Sequence, residues 1–278
     1  MTGDKKLPRA AVLRINKCLR KESDVLNLSD IPLDVLPEQL RELTHLREVR
    51  LHLTRIPERL SDLTNLTHLG LAGQLTSLPD SLGNLTSLTS LTSLHLYGNQ
   101  LTEVPEWLGS LTSLTSLHLQ GNQLVGLPDS LGNLTSLTEL ILSKNQLTEV
   151  PESLGNLTAL KRLYLGINRL TRLPDSLGNL TALTSLVLEV NQLTEVPESL
   201  GNLTALKHLF LGYNRLTRLP DSLGNLAALT SLYLESNPLA GLPDSLENLT
   251  ALTRFRLEGD LLADLPKSLR RRARTPSR

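Results

Sequence analysis

From Leu91 onward the sequence repeats itself with a period of 23, and this period constrains its fold more than any other feature. The shared form is L-x-x-L-x-L-x-x-N-x-L-x-x-L/V-P-x-x-L-x-x-L-x-x, numbered here from position 1 to position 23. Full-length units start at residues 91, 114, 137, 160, 183, 206, 229 and 252, and degenerate ones start at 23, 46 and 66. No unit of this size can bury its leucines alone, so the eleven repeats are predicted to stack into one solenoid.

The residue type at each position predicts the local structure of a repeat. Leucines at positions 4 and 6 alternate with variable residues, which is typical of a short strand with one buried face. Asparagine at position 9 can donate and accept hydrogen bonds where the chain bends away from the strand. The series runs Asn99, Asn122, Asn145, Asn168, Asn191, Asn214 and Asn237, and Asp260 takes the place in the last repeat. Proline at position 15 fixes φ and removes a donor, which favours a return strand outside the sheet ladder.

The two ends of the stack need covers, because a terminal repeat would otherwise expose its leucines. Residues 1–22 are predicted to form an N-terminal cap, with an amphipathic helix over residues 9–21. Its apolar stripe is Ala11, Val12, Ile15, Cys18 and Leu19, which makes Cys18 a small core residue rather than a nucleophile. The repeat domain covers residues 23–274 and ends where Arg272 replaces a leucine. Residues 275–278 form a basic tail, expected to be a solvated end.

Composition narrows the class of partner and the compartment. Lys plus Arg and Asp plus Glu both number 28, so neither nucleic acid nor an anionic membrane is the expected partner. One cysteine excludes an intrachain disulfide and a cysteine-rich zinc site. The chain shows no apolar run of the length that a signal peptide or a membrane span requires. We therefore expect a cytoplasmic protein.

The L-x-x-L-x-L-x-x-N-x-L core resembles the leucine-rich repeat family. The L/V-P-x-x-L return is similar to the intracellular subgroup found in Ras-suppressor-type, plant intracellular Ras-group-related and many bacterial proteins. The resemblance implies an α/β repeat solenoid, a horseshoe of about eleven units with a concave parallel β-sheet and an N-terminal capping helix. It also implies partners such as small GTPases, phosphatases or kinases. No residue of the sequence distinguishes among these three classes.

Residues suited to catalysis are not arranged as any familiar site. The chain has no Gly-rich phosphate loop and no G-x-S-x-G elbow, because most glycines fall at fixed repeat positions. The sequence therefore predicts neither an enzyme nor a cofactor. His95 and His118 occupy position 5 of adjacent repeats, with His68 at position 3 of the repeat before. A metal site there is a less favoured alternative, because stacked exposed histidines are usually plain surface.

Position 13 carries charges of alternating sign on the flank of the predicted solenoid. From Glu149 through Arg172 and Glu195 to Arg218, each charge faces an opposite one in the next repeat. A ladder of ion pairs between repeats is therefore expected. Each exposed pair contributes only about 0–1 kcal/mol, so the ladder favours repeat order more than stability.

Scarce aromatic residues gather at positions that the repeat leaves free. Aromatics are 3% of the chain, yet repeats 6 to 10 place several at position 5, between the buried leucines, and at position 8 beside it. The predicted patch is Ile141, Tyr164, Ile167, Val187, Val190, Phe210, Tyr213 and Tyr233. Arg162 and His208 flank it on one side and Glu189 and Glu235 on the other. An apolar centre with a polar rim is typical of a binding surface.

These features predict a protein–protein interaction module, a signalling scaffold or regulator that binds its partner through the concave face. The alternative is a structural scaffold or self-associating repeat protein without a specific ligand. On that alternative the aromatics only pack across strands, where aromatic and β-branched residues are generally favoured.

Overall fold

The computed structural model describes residues 7–33, 40, 42–54, 56, 60, 63, 65–80, 82, 90–258, 261, 265 and 269–270. Three features of the sequence lie outside these residues: Asp260, Arg272 and the basic tail 275–278. Residues 1–6 of the predicted cap also lie outside them.

One parallel β-sheet runs through the described chain, with its strands in sequence order from β1 to β11. The strands are β1 (Val25–Leu33), β2 (Glu48–Leu53), β3 (His68–Gly73), β4 (Ser93–His95), β5 (Ser116–His118), β6 (Glu139–Ile141), β7 (Arg162–Tyr164), β8 (Ser185–Val187), β9 (His208–Phe210), β10 (Ser231–Tyr233) and β11 (Arg254–Arg256). Consecutive strands pair in parallel, and from β4 onward each pairing joins identical repeat positions. The predicted leucine-rich repeat solenoid is confirmed.

The leucines of the repeat form a continuous core on one side of this sheet. Those at positions 4 and 6, such as Leu163 and Leu165, are fully buried, as are Leu170 at position 11 and Leu180 at position 21. The other side carries positions 3, 5 and 7 and is open, and we call it the open face. It corresponds to the face predicted to be concave, so the strand alternation placed the two faces correctly.

Buried asparagines at position 9 tie each repeat to the one before it. Asn168 Nδ2 donates to the carbonyl oxygen of Leu165 in its own repeat at 2.9 Å and to that of Leu142 in the preceding repeat at 3.1 Å. Its Oδ1 accepts from the backbone N–H of Leu147, also in the preceding repeat, at 3.1 Å. The same three bonds recur around the other asparagines of the series. The predicted asparagine ladder is therefore a bridge between repeats as well as a cap on each turn.

The return side of the repeats is built from 3-10 helices, not from the return strand that the proline suggested. They cover Glu106–Ser110, Asp129–Asn133, Glu152–Asn156, Asp175–Asn179, Glu198–Asn202, Asp221–Asn225 and Asp244–Asn248. The proline precedes each one in an extended conformation, and its carbonyl accepts from the leucine at position 18, as in Leu177 N–H to Pro174 O at 3.2 Å. Proline suits this place because the first helical turn needs no N–H from it.

The cap is an α-helix, α1 (Arg9–Leu19), packed against β1. Ala11, Ile15 and Cys18 are buried in the core as predicted, and burial raises the pKa of the Cys18 thiol. The prediction for Val12 was wrong, because its side chain is 38% exposed. The buried stripe follows 11, 15 and 18, with steps of four and then three along the helix, and Val12 lies to the side of it.

Replacing Asn168 by alanine is expected to destabilise the solenoid by about 2–4 kcal/mol. The substitution removes the hydrogen-bond partner of the buried Leu147 N–H, at about 1–3 kcal/mol for an unsatisfied group. It also removes one of two amide donors to each of the Leu142 and Leu165 carbonyls, which keep Asn145 and Asn191, at about 0.5–1.5 kcal/mol for each lost bond. Urea unfolding followed by circular dichroism measures the loss, and Asn179→Ala in the exposed 3-10 segment is the matched control. Equal costs for the two variants would contradict the structural role of the ladder.

Replacing Gly178 by alanine is also expected to destabilise, by about 1–3 kcal/mol, because the 3-10 helices of neighbouring repeats pack backbone to backbone. A Cβ on Gly178 would lie 2.5 Å from the Ser199 carbonyl oxygen, closer than such atoms can approach. A Cβ on Gly126 would meet nothing within 4 Å, so Gly126→Ala is the control and should be neutral or slightly stabilising. Thermal unfolding of both variants checks the difference.

Candidate functional site

Position 5 forms a continuous row across the open face, one side chain per strand. The strand register places Ile141 beside Tyr164, Tyr164 beside Val187, Val187 beside Phe210 and Phe210 beside Tyr233. All five side chains are half-buried, because each is covered on two sides by the same position of its neighbours. The residues predicted at position 5 therefore do lie together.

The aromatic end of this row is locked by ring contacts. The rings of Phe210 and Tyr233 stack at a centroid distance of 4.6 Å and an interplanar angle of 15°. The guanidinium of Arg256, at position 5 of the last repeat, lies 5.2 Å from the centroid of the Tyr233 ring. Sequence reasoning left Arg256 out of the site, although its position in the repeat would have placed it there. A cation over a ring and a stacked pair make one rigid aromatic shelf.

His95 and His118 continue the row toward the N-terminus, as a parallel stack. Their centroids are 4.1 Å apart and their planes differ by 5°. The Nε2 atoms lie 3.0 Å and 3.1 Å from the hydroxyls of Ser93 and Ser116. Metal ions bind imidazole nitrogens in the plane of the ring, and two parallel rings cannot point at one ion in both planes. Within the described residues, no group of three or more His, Cys, Asp or Glu side chains is arranged to hold a metal.

Glu139 links the histidine stack to the apolar patch. Its carboxylate lies 3.2 Å from His118 Nε2 and 2.7 Å from Arg162 Nε. Chiefly through the Arg162 hydrogen bond, the pKa of Glu139 falls below its ordinary value, and the same bond raises the pKa of Arg162. Arg162 was predicted as a rim residue, but Glu139 was missed. The sequence does contain a signal for Glu139, because Glu139 and Arg162 occupy position 3 of adjacent repeats and carry opposite charges.

Position 8 of the patch lies in the turn after each strand and has an unusual backbone. Ile167, Val190 and Tyr213 have φ of 57°, 56° and 56°, in the left-handed region that favours glycine. Gly98 and Gly121 occupy the same place in repeats 4 and 5, with φ of 68°. The three larger side chains are 43%, 43% and 56% exposed. Repeats 7 to 9 thus display apolar side chains where the backbone would be more stable with glycine.

The rim residues lie in two rows on either side of position 5. Arg162 and His208 are at position 3, and the His208 Nδ1 lies 3.1 Å from the Ser231 hydroxyl. Glu189 and Glu235 are at position 7 and lie over glycines of the preceding repeats. A Cβ on Gly166 would be 3.3 Å from Glu189 Cγ, and one on Gly212 would be 3.1 Å from Glu235 Cδ. These glycines make room for the two carboxylates.

The charges at position 13 form separate pairs, so the expected continuous ladder was wrong in part. Arg172 Nη2 lies 3.1 Å from Glu149 Oε2, and Arg218 Nη2 lies 3.2 Å from Glu195 Oε2. Within residues 90–258 no ion pair closes the step between Arg172 and Glu195. Each arginine leans toward the preceding repeat, and all four side chains are exposed, so each pair contributes about 0–1 kcal/mol.

Comparison with protein families agrees with this geometry. A model described as a leucine-rich repeat region matches residues 105–204, and one described as leucine rich repeat matches residues 64–124 and 191–239. The protein belongs to the leucine-rich repeat family. No curated protein matches the chain.

Solved structures with the same architecture include proteins of bacteria and plants. A leucine-rich repeat protein of Leptospira interrogans is 29% identical with a TM-score of 0.78, over 92% of this chain and 72% of that one. The ectodomain of the receptor kinase GASSHO1/SCHENGEN3 from Arabidopsis thaliana, in complex with CASPARIAN STRIP INTEGRITY FACTOR 2, is 32% identical with a TM-score of 0.58. The plant peptide hormone receptor RGFR1, in complex with RGF2, is 28% identical with a TM-score of 0.68.

The present chain is shorter than the receptor domains. It is covered over 81% and 84% of its length by the two plant receptors but spans only 34% and 43% of theirs. No helix among the described residues is long and apolar enough to cross a membrane.

Lowering the pH from 6.5 toward 4 is expected to destabilise the protein through His95. Burial of the ring, followed by the nearby charges of His118 and Arg50, lowers the pKa of His95 to about 4 from an ordinary 6.5. In this range the unfolded chain binds a proton that the folded one does not, so stability is complete above pH 6.5 and falls on acidification. Because the ring is only half-buried, we discount the loss for solvent screening to about 1–2 kcal/mol.

Urea unfolding of the wild type and of His95→Gln at pH 7.5 and 4.5 isolates this effect. Other titrating groups contribute equally to both proteins, so the wild type should lose about 1–2 kcal/mol more than the variant between the two pH values. Parallel losses in the two proteins would show that the pKa of His95 is not depressed.

Proposed function

We propose that this protein is a protein-interaction module that binds its partner through the open face of repeats 6 to 10. The apolar patch is the contact surface, and it consists of Ile141, Tyr164, Ile167, Val187, Val190, Phe210, Tyr213 and Tyr233. Arg162, His208, Glu189 and Glu235 form its polar rim and set the register of the partner. The function is binding and not catalysis, in keeping with a family whose fold commonly serves as an interaction module.

The observation that carries this proposal is the conflict at position 8. A left-handed backbone costs a residue with a Cβ about 1–2 kcal/mol, and β-branched residues such as Ile167 and Val190 are the least suited to it. Their exposed apolar side chains gain little from burial in return. Strain of this kind persists where a function needs it, and here a partner that covers the side chains supplies the missing benefit.

The aromatic shelf supplies anchors of the type that dominate protein interfaces. Tyr and Phe give large rigid contact areas, and the stack of Phe210 on Tyr233 fixes their rotamers before a partner arrives. The charged rim around an apolar centre has the composition of such interfaces. The ligand complexes of the two plant receptors support the same mode of action for the fold.

The class of partner and the compartment are further parts of the proposal. The L/V-P-x-x-L resemblance favours a signalling partner such as a small GTPase, a phosphatase or a kinase. We place the protein in the cytoplasm, because its single cysteine, Cys18, is a buried free thiol and the sequence relies on no intrachain disulfide of the kind that stabilises many secreted domains.

Replacing Ile167, Val190 and Tyr213 together by glycine is expected to abolish partner binding without destabilising the fold. Each change removes left-handed strain but adds flexibility to the unfolded chain, so stability stays equal or rises by up to about 1 kcal/mol per site. Affinity capture from a lysate of the source organism, with urea unfolding alongside, measures both effects.

The matched control is Val125→Gly, which removes an apolar side chain that is 60% exposed at position 12, outside the patch. Proteins retained by the wild type and the control but lost by the triple variant would establish the patch as the site. Identical sets from all three would refute the proposal. A wild type that dimerises in sedimentation while the triple variant stays monomeric would favour the self-associating alternative.

Aspartate at Phe210 and Tyr233 gives a second, independent disruption of the patch. Both side chains lie outside the leucine core, so the double variant should fold and lose only the stacking contribution of about 0.5–1.5 kcal/mol. Phe255→Asp, at a buried strand position, should unfold the C-terminal repeats. If circular dichroism showed that the double variant at Phe210 and Tyr233 is unfolded, the assignment of these side chains to the open face would be wrong.

A further inference from the structure

We infer that the partner segment bound on the open face is an amphipathic α-helix with one acidic and one basic flank, lying across the strands of repeats 7 to 11. This inference rests on the proposed function and adds the chemistry and secondary structure of the partner. It follows from three rows of side chains on the open face and from one carboxylate oxygen that has no partner among the described residues.

The three rows run side by side across the strands. In repeats 7 to 11, position 3 carries the basic residues Arg162, His208 and Arg254. Position 5 carries the apolar row from Tyr164 to Tyr233 and ends in Arg256. Position 7 carries the acidic residues Glu189, Glu235 and Glu258. A Cβ on Gly166 would lie 3.2 Å from Val187 Cγ1, so positions 7 and 5 of neighbouring repeats are in direct contact range. The Ser116 hydroxyl, 3.1 Å from His118 Nε2, shows that positions 3 and 5 of one repeat are also in contact range.

The width of the three rows matches one helix. Positions two apart on a strand are separated by about 6.6–6.8 Å, so the basic and acidic rows lie about 13 Å apart. A helix with its side chains has a diameter of about 10–12 Å. A helix centred on the apolar row therefore brings one flank to the basic row and the other flank to the acidic row.

The spacing along the rows also favours a helix over an extended chain. Neighbouring strands lie about 4.8 Å apart, close to the roughly 5.4 Å pitch of a helix, so one apolar side chain per turn meets one repeat. Basic residues alternate with serine along position 3, which separates them by two strands, about 9.6 Å. Two helical turns advance about 10.8 Å. In an extended chain, side chains on one face recur about every 6.6–6.8 Å. That distance matches neither the spacing of neighbouring strands nor the spacing of the basic residues along position 3.

One carboxylate oxygen in the acidic row lacks a partner. Glu235 Oε2 is buried and has no hydrogen bond within the described chain, while the Glu258 carboxylate already accepts from Ser236 N–H and Oγ–H at 3.0 Å and 2.9 Å. An unsatisfied buried oxygen makes the charged Glu235 carboxylate unfavourable in the free chain, and a lysine or arginine beside that carboxylate offsets its charge. Because this oxygen is itself buried, a basic side chain of the helix meets the Glu235 carboxylate through its other oxygen. Glu235 and Glu189 therefore mark the row along which the basic flank of the helix docks.

Three labelled synthetic peptides, each long enough for about six helical turns, test the inference by fluorescence anisotropy. All share a leucine stripe and equal numbers of Glu and Lys. The first has Glu on one flank and Lys on the other, the second mixes both on each flank, and the third is the first with two central prolines. Exchanging the two flanks is no control, because a helix lying in the opposite direction restores the match.

The segregated peptide should bind about tenfold more tightly than the mixed one, because several rim ion pairs of modest strength add together. That advantage should shrink at about 300 mM salt, where exposed charges are screened. The proline peptide should lose binding. Glu189→Gln with Glu235→Gln should reduce the advantage to about twofold, whereas the control pair Glu149→Gln with Glu195→Gln on the flank should preserve it.

Three results overturn the inference and leave the proposed function separately testable. Equal affinity for segregated and mixed peptides, or binding of the proline peptide, excludes a charge-segregated helix, and so does a lack of binding by every peptide. The triple glycine variant then tests the proposed function separately. If it no longer captures the proteins that the wild type retains, the proposed function stands, and if it captures the same proteins, the proposed function is refuted.

Discussion

A single repeat of this chain cannot shield its leucines from water, so each unit depends on the units before and after it. Stacking satisfies this need and sets the strands about 4.8 Å apart. Everything on the open face inherits that spacing, because equal repeat positions meet as direct neighbours. The stacked pairs His95–His118 and Phe210–Tyr233 and the ladder of asparagines are all consequences of one translation along the solenoid.

A second period, of two repeats, lies on top of the first. Residues 160–205 and 206–251 have nearly the same sequence. The alternation gives position 13 its separate Glu149–Arg172 and Glu195–Arg218 pairs on the flank, and gives the open face basic residues at every second repeat. The two-repeat period therefore sets the charge pattern of both the flank and the open face. On the flank the charges pair with each other, so no ligand is needed to explain them. The open face differs, because its acidic row retains an unpaired oxygen at Glu235.

At position 8 of repeats 7 to 9, a left-handed backbone is combined with exposed apolar side chains, and both features cost stability in the free chain. Repeats 4 and 5 make this turn with Gly98 and Gly121, and repeats 6 and 10 make it with the polar residues Lys144 and Ser236. Ile167, Val190 and Tyr213 accept a strained backbone and remain exposed, which is a cost in the free chain. A partner that covers these three side chains would bury their apolar surface and so offset the cost of the strained backbone.

The sequence by itself determined the stack, the buried leucines, the asparagine ladder and the order of the strands, because a strict period encodes the same neighbours again and again. It also placed the side chains of position 5 on one face. Tertiary structure alone decided that Val12 of the cap is exposed, that position 8 is left-handed and that the return segment is a 3-10 helix. It also decided that Arg172 and Arg162 lean toward the preceding repeat. In a periodic chain the repeat before and the repeat after offer nearly identical partners, so the direction in which a side chain leans is fixed only by the local twist and packing of the folded stack.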